Sequence, residues 1–317
     1  MHPYLRLHLR VRPADGGGEE PPLPAALVRR VLGKAFIDTY CPFGEARCQA
    51  AEAGSEPRPR PRDLCDLADC CPYGVLFAAS RSPRPPFALH TAKEEKEGDV
   101  LEITLLASAW PLYPWILAGI SQAFHVGLGS ERRPWQIETV SRVRPDRSRE
   151  PLCGADLTQL SAILAPDALG IGLEPFLSPQ PVEIRLLSPA RLLQAGRLLP
   201  GSSPVPFDLL IARILDRFRG LYGDSASAIL HPAIRSVIEA EASRVPLLKN
   251  ETRWVEVKDY SARTGAELLM GGKVGRLVYG PEAARFLPIL QAGEILHVGK
   301  NPTAGCGRLE VRLSAAP

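Results

Sequence analysis

The residues best suited to chemistry lie near the end of the chain, from Gly293 to Val311 (GEILHVGKNPTAGCGRLEV). Gly299, Gly305 and Gly307 sit among Lys300 and Arg308, and alternation resumes at Leu309, Val311 and Leu313. Glycines let backbone N–H groups approach an anion closely, and the two cations supply charge, so the spacing suits a phosphate. The plainer alternative is a loop that needs glycine only for positive φ angles, and both readings stand at this point.

The cysteines are a second set. Of the chain's 7, Cys41, Cys48, Cys65, Cys70 and Cys71 crowd one stretch around a Pro/Arg-rich run, Glu56 to Arg62. Four thiolates, most simply Cys41, Cys48, Cys65 and Cys71, can hold one structural zinc ion tetrahedrally. Their spacing is wider than a usual zinc knuckle, and reduced structural thiols are the alternative.

These residues need elements to position them. Tyr4 to Val11 alternates, with Leu5, Leu7, Leu9 and Val11 on one face and Arg6, His8 and Arg10 on the other, as in a half-buried strand. Leu23 to Tyr40 has helical spacing through Leu27, Val31 and Ala35, with Leu32 and Phe36 beside them. Strands are expected at Val100–Leu106 and Trp135–Val140, with a short helix at Ile116, Ile120 and Phe124 between them. From Val182 the pattern recurs: a strand to Leu187, an amphipathic helix from Phe207 to Phe218, a strand at Val274–Tyr279 and a short helix ending at Gly293. Phe124-His125-Val126-Gly127 and Leu296-His297-Val298-Gly299 each follow a short helix and precede a basic, glycine-bearing loop. That shared order predicts an internal duplication of a βαββαβ unit, a tandem ferredoxin-like α+β protein of RRM-like topology with a cysteine-rich insertion. The expected domains are 1–143, with the insertion at 41–77, and 182–317, joined by an irregular linker over 144–181.

Several segments together resemble a known family. Tyr260-Ser261-Ala262-Arg263, Gly271-Gly272-Lys273-Val274-Gly275, Phe286-Leu287-Pro288, Gly293-Glu294 and Leu296-His297-Val298-Gly299-Lys300 are similar to the C-terminal domain of the CRISPR-associated precursor-crRNA endoribonucleases of the RAMP superfamily. Thr303 and Gly305-Cys306-Gly307-Arg308 fill the places where that family's loop has Thr and Gly-x-Gly-Arg, and Asn301-Pro302 departs from it. Cys71-Pro72-Tyr73 and Leu76-Phe77 resemble the end of an insertion found in some members.

The resemblance implies binding of CRISPR repeat RNA and metal-independent cleavage of precursor crRNA, leaving 2′,3′-cyclic phosphate and 5′-hydroxyl ends. A non-catalytic RAMP subunit that holds crRNA in an effector complex is the alternative, and other CRISPR subunits are expected partners. Such cleavage uses the 2′-hydroxyl as nucleophile, with groups to move protons and cations to steady the phosphate; it needs no cofactor. Histidine suits the proton transfer, and the first helix contains none. The expected catalytic set is therefore His8 with Arg29, Arg30 and Lys34, provided that helix packs on the face His8 occupies. Tyr260, Arg263, Lys273, Lys300 and Arg308 are expected RNA contacts, with Arg132 and Arg133 from the repeated N-terminal loop.

Composition sets outer limits. The 317 residues are enough for two domains, and 45% hydrophobic with 23% charged residues is ordinary for a globular chain. A net charge of +3 is too mild to establish nucleic-acid binding, so any basic surface must be local. No apolar run reaches membrane-spanning length, and MHPYLRLHLRVRP lacks a secretory core, so a cytoplasmic protein without membrane partners is expected.

Overall fold

A computed structural model describes residues 2–16, 23–41, 71–77, 84–94, 98–160, 163–174, 180–261 and 266–314. The chain divides into two compact units, Pro3–Ala168 and Leu169–Pro317 with the first two residues.

In the first unit the central strand is β1 (Pro3–Pro13). Leu5, Leu7, Leu9 and Val11 are 0–1% exposed on one face, as their alternation requires. Helix α1 (Ala25–Tyr40) starts two residues later than expected, behind Pro24 at its N-cap. Its Val28, Leu32 and Phe36 join the β1 leucines in one core. A short helix α2 (Pro72–Phe77) lies against α1. Gly33 faces it, and a Cβ there would make only an ordinary contact, 3.7 Å from the Phe77 ring. Strands β2 (Phe87–Glu94) and β3 (Gly98–Leu106) form a hairpin. A 3₁₀ turn over Ala107–Leu112 leads to α3 (Tyr113–Val126), and β4 (Trp135–Val143) follows. The strands run β2-β3-β1-β4 in space, all neighbours antiparallel, and Ile116, Ile120 and Phe124 of α3 complete the core.

Part of the expected linker belongs to this sheet. β5 (Arg149–Cys153) pairs with β4, and β6 (Asp167–Ala168) pairs with Pro3 and Tyr4. The physical reason lies in Asp167, whose carboxylate takes Arg142 at 2.8 Å and Arg144 at 3.5 Å. Both members of the Arg142–Asp167 pair are nearly buried, so the ion pair and the ladder hold the strand together. The first unit therefore ends near 168 rather than 143.

The second unit repeats the order of elements. β7 (Val182–Ala190) is central, followed by the small hairpin β8 (Leu193–Gln194) and β9 (Arg197–Leu198) and by α4 (Phe207–Tyr222). Helix α5 (Pro232–Ala242), not anticipated from the sequence, packs on α4 through Ile238 and Ala242. β10 (Leu247–Val255) and β13 (Gly272–Tyr279) pair, with a ribbon of β11 (Lys258–Ser261) and β12 (Ala266–Leu269) between them in sequence. A 3₁₀ turn, α6 (Leu287–Leu296) and β14 (Leu309–Leu313) close the unit. The sheet order is β10-β13-β7-β14, the same as in the first unit. Ile184, Leu186, Leu277 and Leu309 face α4 and α6 from the sheet, each at most 3% exposed. Gly293 lets α6 approach α4, since a Cβ there would lie 2.6 Å from Ile214 Cδ1. Among the described residues, no helix is long and apolar enough to cross a membrane.

Candidate nucleic-acid interface

The glycine-rich loop between α6 and β14 folds back onto the end of β7. Lys300 N–H donates to the Arg191 carbonyl at 3.0 Å and Gly307 N–H to Pro189 at 3.1 Å. Arg308 N–H donates to Ser188 Oγ at 2.9 Å. Within the loop, Val298 donates to Gly307, Cys306 to Asn301 and Gly305 to Pro302. These amides are spent on the protein, so the loop is not the open phosphate cradle that its glycines suggest. Two of the glycines have direct steric reasons. At Gly299 (φ 84) a Cβ would lie 2.5 Å from the Arg191 carbonyl oxygen, and at Gly307 (φ 76) it would overlap the Val298 carbonyl.

Two expected phosphate contacts are turned inward. Lys273 is 1% exposed and its Nζ donates to the Gly201 carbonyl at 2.6 Å; burial pushes its pKa below the ordinary lysine value. Arg308 is 5% exposed and donates from Nη1 to the carbonyls of Leu309 at 2.6 Å and Glu294 at 3.2 Å. A charge out of water must find hydrogen-bond partners, and here backbone carbonyls supply them. Lys300 and Asn301 remain exposed at the loop tip. The sequence reading missed Arg191, which joins these parts: its carbonyl holds Lys300, and its Nη1 holds the Gly271 carbonyl at 3.1 Å. A cation just past a Ser-Pro strand end was the available signal. Tyr260 pairs through its backbone with Glu267 in the β11–β12 ribbon, and Arg263 lies outside the described residues.

The repeated tetrapeptides are out of step in space. α3 runs through His125 and Val126 and is capped by Gly127 (φ 97, ψ 153). α6 ends at Leu296 and is capped by His297 itself (φ 60, ψ 153). His125 is therefore exposed on its helix, while His297 is buried with Nδ1 3.2 Å from the Cys306 carbonyl. In the loop after α3, Arg132 is exposed, and Arg133 is held by Asp15 at 2.8 and 3.0 Å.

The expected catalytic set does not come together. His8 lies on the face of β1 opposite the leucines, 2% exposed, in register with Glu102 and Ser141. Its Nε2 is 3.8 Å from Glu94, which also takes Arg149 at 3.1 Å. α1 covers the leucine face, so Arg29, Arg30 and Lys34 are on the other side of the sheet. Period-two alternation makes this unavoidable: a helix that buries Leu7 and Leu9 cannot meet His8. Arg29 instead lies over the Phe77 ring at 5.9 Å, Lys34 pairs with Asp38 at 3.1 Å, and Arg30 is exposed. Of the four cysteines expected to hold zinc, Cys41 and Cys71 are partly exposed, while Cys48 and Cys65 lie outside the described residues. Among the described residues, no three His, Cys, Asp or Glu gather as a metal site. Cys306 is buried and its thiol pKa is pushed up to about 11, which keeps it protonated and unreactive.

Residues 184–309 match the family model of the CRISPR-associated endoribonuclease Cas6, and residues 2–163 match a second family model, the AF_1859_N N-terminal domain. Over residues 184–309 the chain is thus a CRISPR-associated endoribonuclease Cas6 domain. Among solved structures, a Cas6 product complex is similar at 16% identity and a TM-score of 0.55, covering 97% of this chain and 98% of the other. The Cas6 of Thermus thermophilus is similar at 15% identity and a TM-score of 0.53, covering 98% and 99%. A chain of a partial Cas6-RT-Cas1–Cas2 complex is similar at 12% identity and a TM-score of 0.52, covering 99% of this chain and 46% of that one. At these identities the likeness is one of fold. Comparison with curated proteins gave no match.

On the sheet face away from α4 and α6, charge is arranged as a network. Glu183 accepts from Arg185 and Arg276, each at 2.6 Å, and Arg276 also reaches Glu251 at 3.2 Å. Burial alone would raise the Glu183 pKa; the two guanidinium hydrogen bonds outweigh it and hold the carboxyl below its ordinary 4.5. Because the folded value lies below the unfolded one, this stabilisation is complete above the ordinary value and is lost as pH falls through the lowered one. Glu183→Gln should therefore lower the melting temperature at neutral pH and flatten the loss of stability between about pH 5 and 3, as read by thermal melts across that range.

Proposed function

We propose that this chain binds the repeat of a precursor crRNA and cuts it without a metal ion, leaving 2′,3′-cyclic phosphate and 5′-hydroxyl ends. Each unit is read as a ferredoxin-like βαββαβ fold, on the strength of the shared element order and the matching sheet orders. The observation that carries the binding reading is the braced loop. Lys300 stands in solvent on a backbone pinned at Arg191, Pro189 and Ser188, so its ammonium meets a phosphate without first ordering the loop. Tyr260, in the β11–β12 ribbon, and Arg263 are the proposed companions of Lys300. In the first unit Arg132 is the proposed companion. Other CRISPR proteins are the proposed protein partners.

RNA carries its own nucleophile in the 2′-hydroxyl, so the protein need only move protons and steady the phosphate. Arg29, Arg30 and Lys34 are suited to the phosphate and not to the proton, since arginine stays charged at any working pH. His8, withdrawn under Glu94, is not proposed as their partner.

Lys300→Ala should weaken repeat-RNA binding and reduce the log–log salt slope by roughly 0.7–0.9 for one lost phosphate contact. Lys273→Ala should leave that slope unchanged and lower the melting temperature instead. Filter-binding titrations over a salt series check both, and an unaltered slope in Lys300→Ala removes that residue from the interface.

Cleavage of repeat transcript in EDTA, followed by end-group analysis, tests the chemistry. A 2′-deoxy nucleotide at the scissile position should abolish cutting and leave binding nearly intact, because it deletes the nucleophile and few contacts. His8→Ala should keep cleavage within a few-fold of wild type; a loss of about 10²-fold or more would return His8 to the proton transfer.

Cys41, Cys48, Cys65 and Cys71 are proposed to hold one structural zinc ion through four thiolates. Elemental analysis of protein purified without chelator should give about one zinc per chain, reduced in Cys71→Ser. Zinc-free wild type would leave these as ordinary thiols.

A further inference from the structure

Partly exposed aromatic side chains gather in the first unit, where α1, α2 and the start of α3 meet. Tyr40, Tyr73 and Phe77 are half-buried, and Trp115 is 48% exposed. Trp115 meets Tyr40 edge to face, with centroids 5.0 Å apart and planes at 84°. Tyr40 packs on Phe36 at 5.5 Å and Phe36 on Phe77 at 5.9 Å, while Tyr73 stacks on Phe77 at 5.5 Å. Arg29 lies over Phe77 at the far end. The partly exposed rings thus form a strip of two groups along α1, Trp115 with Tyr40 and Tyr73 with Phe77, joined beneath the surface by the buried Phe36 and spanning Arg29 to Tyr40, about 16 Å at the usual helical rise.

The strip differs from the sheet faces away from the helices, where largely buried carboxylates and guanidinium groups pair, as in Arg6–Glu102 and Glu183–Arg276. A tryptophan with half its surface in water is not explained by the core it borders, which is filled by Leu32, Phe36 and Ile120. Its edge contact with Tyr40 fixes the orientation of the indole and covers at most one of its faces. Arg30 and Lys34 are exposed on the same helix. The acid beside them, Asp38, pairs with Lys34, both side chains more than half exposed, and such a surface pair is worth at most about 1 kcal/mol and yields readily to a phosphate. Rings beside exposed cations are the arrangement that takes single-stranded nucleic acid, since every base has a π-face.

We infer that this strip is a stacking platform for unpaired nucleotides of the RNA, and that Trp115 is a binding residue within it. The inference rests on the proposed function. It also gives the cations of α1 a role that does not require a histidine beside them.

The test uses the full chain with two labelled probes, a short oligo(A) RNA and a repeat stem-loop without overhangs, read by fluorescence anisotropy. Trp115→Ala should weaken oligo(A) binding about tenfold, the lower part of the range for one stacked base, and leave the stem-loop affinity unchanged. Trp115→Tyr should restore most of the loss. Equal oligo(A) affinity in Trp115→Ala and wild type overturns the platform, and so does wild type that binds the stem-loop but not oligo(A). Trp115→Ala that binds both RNAs normally but no longer co-purifies with a CRISPR protein makes the strip a protein-docking surface and overturns the inference. Wild type that binds neither probe, nor any repeat transcript, fails the proposed function itself. If Trp115→Ala does not fold, quenching of tryptophan fluorescence by oligo(A) decides. It should occur in wild type and be largely lost in Trp115→Phe; equal quenching in the two counts against the platform.

Discussion

Leu5, Leu7, Leu9 and Val11 on β1, and Val182, Ile184 and Leu186 on β7, are buried almost completely beneath a pair of helices. Each such side chain contributes about 1.5–3 kcal/mol by leaving water, so these two strands decide which way each sheet faces. Once that face is committed, the residues between them have no choice of side. Arg6, His8 and Arg10 must lie opposite the helices in the first unit, and Glu183 and Arg185 must do so in the second. The ion pairs on both open faces follow from this constraint. So does the separation of His8 from the cations of α1.

The second constraint is that a tight return from α6 into β14 must run against the end of β7. Carbonyls of Pro189 and Arg191 receive amides from the loop, and the backbone can come that near only where no Cβ intervenes. The buried cations serve the same joint. Arg308 and Lys273 donate to carbonyls, and Arg217, 3% exposed, donates to the Leu296 carbonyl at the end of α6. Charge-assisted hydrogen bonds of this kind are about twice as strong as neutral ones, but their larger effect is the cost of leaving such a charge buried without them. A basic loop in this chain is thus mostly a fastening, and only Lys300, among its lysine and arginine residues, is exposed to a ligand.

Much of this was legible in the sequence because the signals were periodic. The alternation of Tyr4–Val11 and the helix from Phe207 appear as read. What periodicity cannot report is where a long side chain ends. Lys273 falls on β13 as a strand residue whether its ammonium reaches water or Gly201, and that depends on a loop 72 residues earlier. Nor could matching letters reveal that the left-handed cap falls on Gly127 in one unit and on His297 in the other. The stretch over 144–181 looked irregular because β5 and β6 are short and are held by pairing and by the Asp167–Arg142 bridge rather than by an amphipathic pattern.

The shift between the two caps shows how two units with the same sheet order present distinct surfaces. A glycine cap at 127 lets α3 continue through His125 and Val126, so both side chains stay on the outside of the helix. In the second unit the helix stops two residues earlier in the shared tetrapeptide. His297 then adopts positive φ with an extended ψ, a sparsely populated conformation that costs a non-glycine residue about 1–3 kcal/mol. The hydrogen bond of its ring to the Cys306 carbonyl offsets part of that cost, and Val298 is drawn into the core. The loop that follows is thereby lengthened, running over 297–308 against 127–134 in the first unit, and it is anchored from both ends. The same short run of residue types thus gives an exposed histidine in the first unit and a buried one in the second, where the histidine fastens the loop that carries Lys300 through the Cys306 carbonyl.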